Sequence, residues 1–118
     1  MLSVSSSDLL LKPENNLAID GSTVILPCLS TFGYRLNWLT KSGNNSDRFR
    51  IFNGFYLNKN VTSYCKVENG APGKYDLNII ANRNAAQQYI CREPGTLIEA
   101  SAALIIIGMY LNYFTVPY

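Results

Sequence analysis

Three cysteines, at positions 28, 65 and 91, and the absence of any histidine constrain this chain more than any other feature. The cysteines lack the short Cys-x-x-Cys spacing of a zinc site or a dithiol redox centre. Without histidine there is no usual general base, no commonest metal ligand and no ordinary pH switch. Widely spaced cysteines with no metal pattern point instead to a disulfide and an oxidising compartment. Two glycosylation sequons, Asn44-Asn45-Ser46 and Asn60-Val61-Thr62, agree with an extracellular location.

At 118 residues the chain has the size of one domain, large enough to bury about two-thirds of its unfolded surface. Hydrophobic residues make up 47% and charged residues 15%, the balance of a folded globular chain. A net charge of +2, with the basic residues scattered, excludes a nucleic-acid surface. No Gly-x-Ser-x-Gly elbow, phosphate loop or motif-borne acidic pair is present, so no catalytic residue, metal or cofactor is expected. Met1 opens onto Ser-rich, uncharged sequence, which is read as a chain whose leader has been removed.

Short β-branched and aromatic segments alternate with Gly, Pro, Asn and Ser clusters, which predicts an all-β fold. Strands are expected at Leu9–Lys12 with Leu17–Ile19, Thr23–Leu29, Arg35–Lys41, Phe49–Asn53, Ser63–Val67, Lys74–Ile80, Gln87–Arg92 and Ala100–Ile107. Such a series suits a sandwich or a barrel. Period-two alternation puts Val24, Leu26 and Cys28 on one face, and Leu36, Trp38 and Thr40 on another. Tyr75, Leu77 and Ile79 share a face, as do Tyr89 and Cys91, while Arg35, Asn37, Leu39, Lys41, Gln88, Ile90 and Arg92 point outward.

Four segments together resemble an immunoglobulin-superfamily domain. Gly21-Ser22-Thr23-Val24-Ile25-Leu26-Pro27-Cys28 is similar to its strand B, and Trp38-Leu39-Thr40-Lys41 to its strand C. Tyr75-Asp76-Leu77-Asn78-Ile79 resembles strand E, and Tyr89-Ile90-Cys91 strand F with its tyrosine corner. The likeness covers residues 8–107. It implies a two-sheet Greek-key sandwich, a Cys28–Cys91 disulfide between the sheets, Trp38 packed over that bridge, and a core holding Tyr89 and Leu77. Cysteines 63 positions apart (91 minus 28) and a C′ candidate at Phe49–Asn53 resemble the variable type. Three features depart from it: Ala85 replaces the usual acid six residues before the second cysteine, the Phe-Gly-x-Gly joining motif is missing, and the F–G link is short. Glu93-Pro94-Gly95-Thr96 suits a tight type II turn.

The resemblance implies an extracellular recognition module of a receptor, adhesion or immune protein, at residues 1–108, followed by an apolar extension or linker at 109–118. Its expected partner is a protein, a like domain or a second copy of itself, bound through the face formed by strands G, F, C and C′. There Leu39 and Ile90 would form an exposed apolar strip rimmed by Arg35, Lys41 and Arg92, joined by either Ala103, Ile105 and Ile107 or Ala102, Leu104 and Ile106. Further candidates are Phe52, Phe55 and Tyr56, the turn Glu93, Pro94, Gly95 and Thr96, and the loop Ser30–Tyr34 with Phe32. The alternative function is a secreted pattern-recognition module for carbohydrate or microbial surfaces. The residues leave three readings for Cys65: pairing between molecules, an alternative bridge, or a buried free thiol, which is favoured because small thiols pack as hydrophobes. Ala100–Tyr118 is uncharged, yet Leu104–Ile107 is needed as the closing strand, so membrane attachment is expected only through segments outside this chain.

Overall fold

A computed structural model of the chain describes residues 8–42 and 47–108. Eight strands form in order: β1 (Asn16–Ile19), β2 (Thr23–Leu26), β3 (Asn37–Lys41), β4 (Phe49–Phe52), β5 (Cys65–Ala71), β6 (Lys74–Ile80), β7 (Gln88–Arg92) and β8 (Glu99–Ile107). They make two sheets in a sandwich-like arrangement. One sheet has five strands in the order β1-β8-β7-β3-β4, the other three in the order β2-β6-β5. All pairings are antiparallel except β1 with β8. The Asn44 sequon and the 109–118 segment lie outside the described residues.

The core follows the alternation. Val24, Leu26, Cys28, Tyr75, Leu77 and Ile79 are buried from the side of the β2-β6-β5 sheet, and Leu36, Trp38, Thr40, Tyr89 and Cys91 from the other. Cys28 and Cys91 are joined by a disulfide with their Cα atoms 6.6 Å apart. Trp38 is opposite Cys91 in register and is fully buried. Its Nε1–H donates to the Tyr75 carbonyl at 2.9 Å, so the polar end of the indole is satisfied across the sheets. The buried Tyr89 hydroxyl donates to the Ala85 carbonyl at 2.7 Å. Burial pushes the Tyr89 phenol well above its ordinary range, so it stays a donor.

Several strands differ from expectation. Leu9–Lys12 is no strand: Leu11 makes only an isolated bridge to Leu29, and Pro13, which has no N–H, follows. The strand expected to run to Leu29 ends at Leu26, because Pro27 follows and Leu29 bridges to Leu11 and Lys74 instead. Arg35 and Leu36 precede β3 rather than opening it, and β5 starts at Cys65 and runs to Ala71. The strand G alternatives resolve in favour of Ala102, Leu104 and Ile106 in the core and Ala103, Ile105 and Ile107 outward. Cys65 is buried and free, and burial pushes its thiol up to about 12.

Candidate functional site

Three connections meet at one end of the sandwich: the loop between β2 and β3, the loop after β4, and the β7–β8 turn. Each is held by a short polar side chain that folds back on its own backbone. The Ser30 hydroxyl oxygen accepts from the Phe32 and Tyr34 amides, each at 3.2 Å. Asn53 Oδ1 accepts from the Phe55 and Tyr56 amides at 2.9 and 2.8 Å. Both are side-chain turns, which Ser and Asn form because their oxygens reach the amides just downstream. Each turn presents a pair of rings, Phe32 with Tyr34 (centroids 5.6 Å apart) and Phe55 with Tyr56 (6.5 Å). All four side chains are more than half exposed; Tyr56 is at 78%.

Arg35 ties the two loops together. Its Nη1 donates to the Gly54 carbonyl at 3.0 Å and to the Tyr75 hydroxyl at 3.4 Å. Its guanidinium carbon lies 4.1 Å from the centre of the Phe55 ring, a cation–π contact. The base of the first loop is locked to the β5–β6 hairpin. Ser30 N–H donates to the Gly73 carbonyl at 2.9 Å, and a Cβ on Gly73 would come within 2.7 Å of Gly33 Cα. Gly73 and Gly95 both hold φ +79°, with a proline before each, as type II turns require. In the β7–β8 turn Thr96 N–H donates to the Glu93 carbonyl at 3.3 Å, which is the turn expected from the sequence.

The expected outer-face strip is not present. Ile90 is on the outer side of the five-stranded sheet but only 2% exposed, and Leu39 opposite it is half-buried. Arg48, just before β4, makes a bidentate pair with Glu99 on β8 at 2.8 and 2.9 Å. Strands β3 and β7 lie between those two residues, so the pair crosses the outer face over the rows that carry Leu39 and Ile90. The pair holds the Glu99 carboxyl below the usual carboxylate range and the Arg48 guanidinium above its own. Of the expected rim, Lys41 and Arg92 are half-buried on the sheet, whereas Arg35 belongs to the loop end. Asn37, expected to point outward into solvent, is buried on the outer face between the β3 and β7 rows.

Two further candidates, one on the β4 strand and one in the turn, are also corrected. Phe52 is buried, packed at 5.8 Å against the Tyr75 ring, because a bulge beside Trp38 turns the end of β4 into the core. Glu93 is buried in the core layer, where Ser30 Oγ donates to its Oε2 at 3.1 Å and Oε1 has no partner. Its side chain therefore fastens one loop to another and offers nothing to a ligand. Pro94 and Gly95 are exposed and Thr96 is half-buried. Asn60 stands exposed in a short 3-10 helix, Lys59–Val61, open to a glycan. The sequence reasoning passed over Leu97, which is 93% exposed, and the exposed Leu17 and Ile19 of β1, which join the strand G candidate Ile105 of β8 in an apolar edge strip.

Among the described residues no cluster of potential metal ligands occurs, and no helix is long and apolar enough to cross a membrane. Set against protein-family models and against curated proteins, the chain finds no match.

Proposed function

We propose that this chain is an extracellular immunoglobulin-type domain of the variable kind, and that it binds a protein partner through its aromatic loop end. The observation that carries the binding reading is the set of four exposed rings, Phe32, Tyr34, Phe55 and Tyr56, held on side-chain turns and joined by Arg35. Aromatic residues supply large contact area at small cost in rotamer entropy, and with arginine they are the types enriched at interface hot spots. Four rings exposed together at one end of a small domain have no role in its core. A partner surface gives them one.

Support for the family reading comes from the sheet order. A β2-β6-β5 sheet facing β8-β7-β3-β4 corresponds to strands B, E and D against G, F, C and C′, the arrangement of the variable type. The inter-sheet disulfide, the buried Trp38 and the Tyr89 hydroxyl bonded four residues upstream belong to the same pattern. The disulfide and the exposed Asn60 sequon favour an oxidising, extracellular setting. The Cys65 thiol, buried and held protonated, is a poor nucleophile, which supports a binding role over chemistry at that residue.

The test is a binding screen of the folded domain, displayed as a multimer, against a panel of extracellular proteins. A triple variant, Phe32→Ser with Phe55→Ser and Tyr56→Ser, is run beside it. Loss of about 2 kcal/mol or more of binding weakens affinity at least about 30-fold, with the melting temperature little changed because all three side chains are exposed. A partner bound equally by both proteins would refute the loop-end assignment.

A further inference from the structure

Beside the loop end, on the outer face of the five-stranded sheet, is a depression of about 200 Å³ lined by Asn37, Leu39, Arg50, Arg92, Pro94 and Gly95. The register explains how it forms. Asn37 faces Arg92 across β3 and β7, and Leu39 faces Arg50 across β3 and β4, so the two arginines approach it diagonally from opposite sides of β3. Pro94 and Gly95 close its rim from the β7–β8 turn.

The cleft carries two positive charges and is lined by none of opposite sign, with Glu99, opposite Arg92 on β8, the carboxylate that feels Arg92 from outside it. Arg50 is exposed and makes no ion pair or hydrogen bond with any described residue. Arg92 donates only to the Thr96 carbonyl, at 3.3 Å. The carboxylate nearest in register, Glu99 opposite Arg92, is held in both its oxygens by Arg48. Glu93, the next residue along from Arg92, is turned into the core toward Ser30. Asn37 borders the cleft and is only 8% exposed; its unpartnered Oδ1 is an acceptor and takes no part in holding an anion, which is left to the two arginines. Two guanidinium groups therefore converge on one spot whose neighbouring walls include the apolar Leu39 and Pro94.

We infer that this cleft takes the carboxylate of an acidic side chain from the protein partner, clamped between Arg50 and Arg92 with apolar neighbours against Leu39 and Pro94. The inference deepens the partner-binding reading and rests on it. Its size favours a side chain over a free small molecule, since sites for small molecules usually enclose roughly 300 Å³ or more. Planar guanidinium groups match a carboxylate in two-point hydrogen bonding, and these charge-assisted bonds are the strong ones. Set beside the aromatic loop end, the cleft supplies what the rings lack: a directional, charge-selective contact that fixes how the partner is oriented.

The experiment uses isotope-labelled full chain and a blocked peptide, acetyl-Leu-Glu-Leu-amide, followed by NMR on backbone amides, the arginine side chains and the Asn37 amide. Saturable shifts are expected at Arg50, Arg92 and Asn37. The matching Gln peptide is expected to bind about tenfold or more weaker, and Arg50→Gln to weaken the Glu peptide by a similar factor. Arg92→Gln behaves alike; if losing the Thr96 bond disturbs the turn, Arg50→Gln alone decides. Equal binding of the Glu and Gln peptides, or shifts unaffected by Arg50→Gln, overturns the inference. Glucuronic acid saturating the same residues more tightly than the peptide also overturns it, in favour of an acidic sugar. Failure here, with partner binding still lost in the aromatic triple variant, removes the cleft alone. Intact peptide binding beside a partner that ignores the triple variant removes the loop-end reading instead.

Discussion

Breaking the Cys28–Cys91 bridge is the perturbation whose cost follows most directly from the structure. The bond closes a loop of 63 residues, and restricting the unfolded chain by that much contributes about 4 kcal/mol in the chain-entropy treatment. Domains of this size are stable by only about 5–15 kcal/mol in total, so the bridge supplies a large share of what keeps the sandwich folded. Both sulfurs are fully buried, and β2 and β7 belong to different sheets. Reduction therefore loosens the attachment of one sheet to the other rather than one hairpin. The assay is urea unfolding with and without a phosphine reductant, followed by the fluorescence of Trp38, the chain's one tryptophan and the residue opposite Cys91. With a urea slope of about 1.5 kcal/mol/M, the midpoint should fall by about 2–3 M. The slope should also rise slightly as the unfolded chain expands. A midpoint shift under about 0.5 M would refute the reasoning, since it would mean that the two sheets hold together without their covalent link.

Three other outcomes follow from local geometry. Cys65, buried and with its thiol pushed up to about 12, should resist iodoacetamide at pH 8 in the native protein and take up one equivalent once urea is added; mass spectrometry separates the two results. Gly73→Ala should cost about 2 kcal/mol or more by calorimetry, because a Cβ there meets the Gly33 backbone at 2.7 Å in a left-handed conformation. The lowered Glu99 carboxyl stabilises the fold at pH values above its unfolded range near 4.5, and that contribution is lost as pH falls through the still lower folded value. Both partners of its pair with Arg48 are a third or more open to solvent, or nearly so, at 40% and 32% exposure. Glu99→Gln should therefore lower stability at pH 7 by no more than about 1 kcal/mol, less in high salt, and make the acid limb of the stability profile shallower.

The all-β class and the inward face of each strand are legible in the chain because they depend on period-two alternation, whereas the two-sheet layout and the Cys28–Cys91 pairing are implied only by the resemblance to a known family. Val24, Leu26, Trp38, Leu77 and Tyr89 are buried as that period requires. What alternation does not contain is what lies over a sheet's outer face. Ile90 obeys the period and faces outward, yet it is buried, on a face spanned by the Arg48–Glu99 pair, and no local pattern encodes a pair that reaches across intervening strands. The bulge beside Trp38 likewise turns Phe52 inward against its expected place. Glu93 shows a third limit. A charged residue in a turn is normally exposed, and only its long-range partner Ser30, 63 positions away, explains why this one is not. The aromatic loop end was partly visible in Phe32, Phe55 and Tyr56, but its unity depends on Arg35 spanning two loops that are distant in sequence.

Once a partner has been found, hydrogen–deuterium exchange on the complex puts the central assignment to the sharpest test. Slowed exchange should concentrate in residues 30–35 and 53–57, with a lesser effect at 93–98, while β5 and β6 exchange as in the free domain. Protection confined instead to the apolar edge of β1 and β8, around Leu17, Ile19 and Ile105, would contradict the account and move the interface to the other side of the sheet.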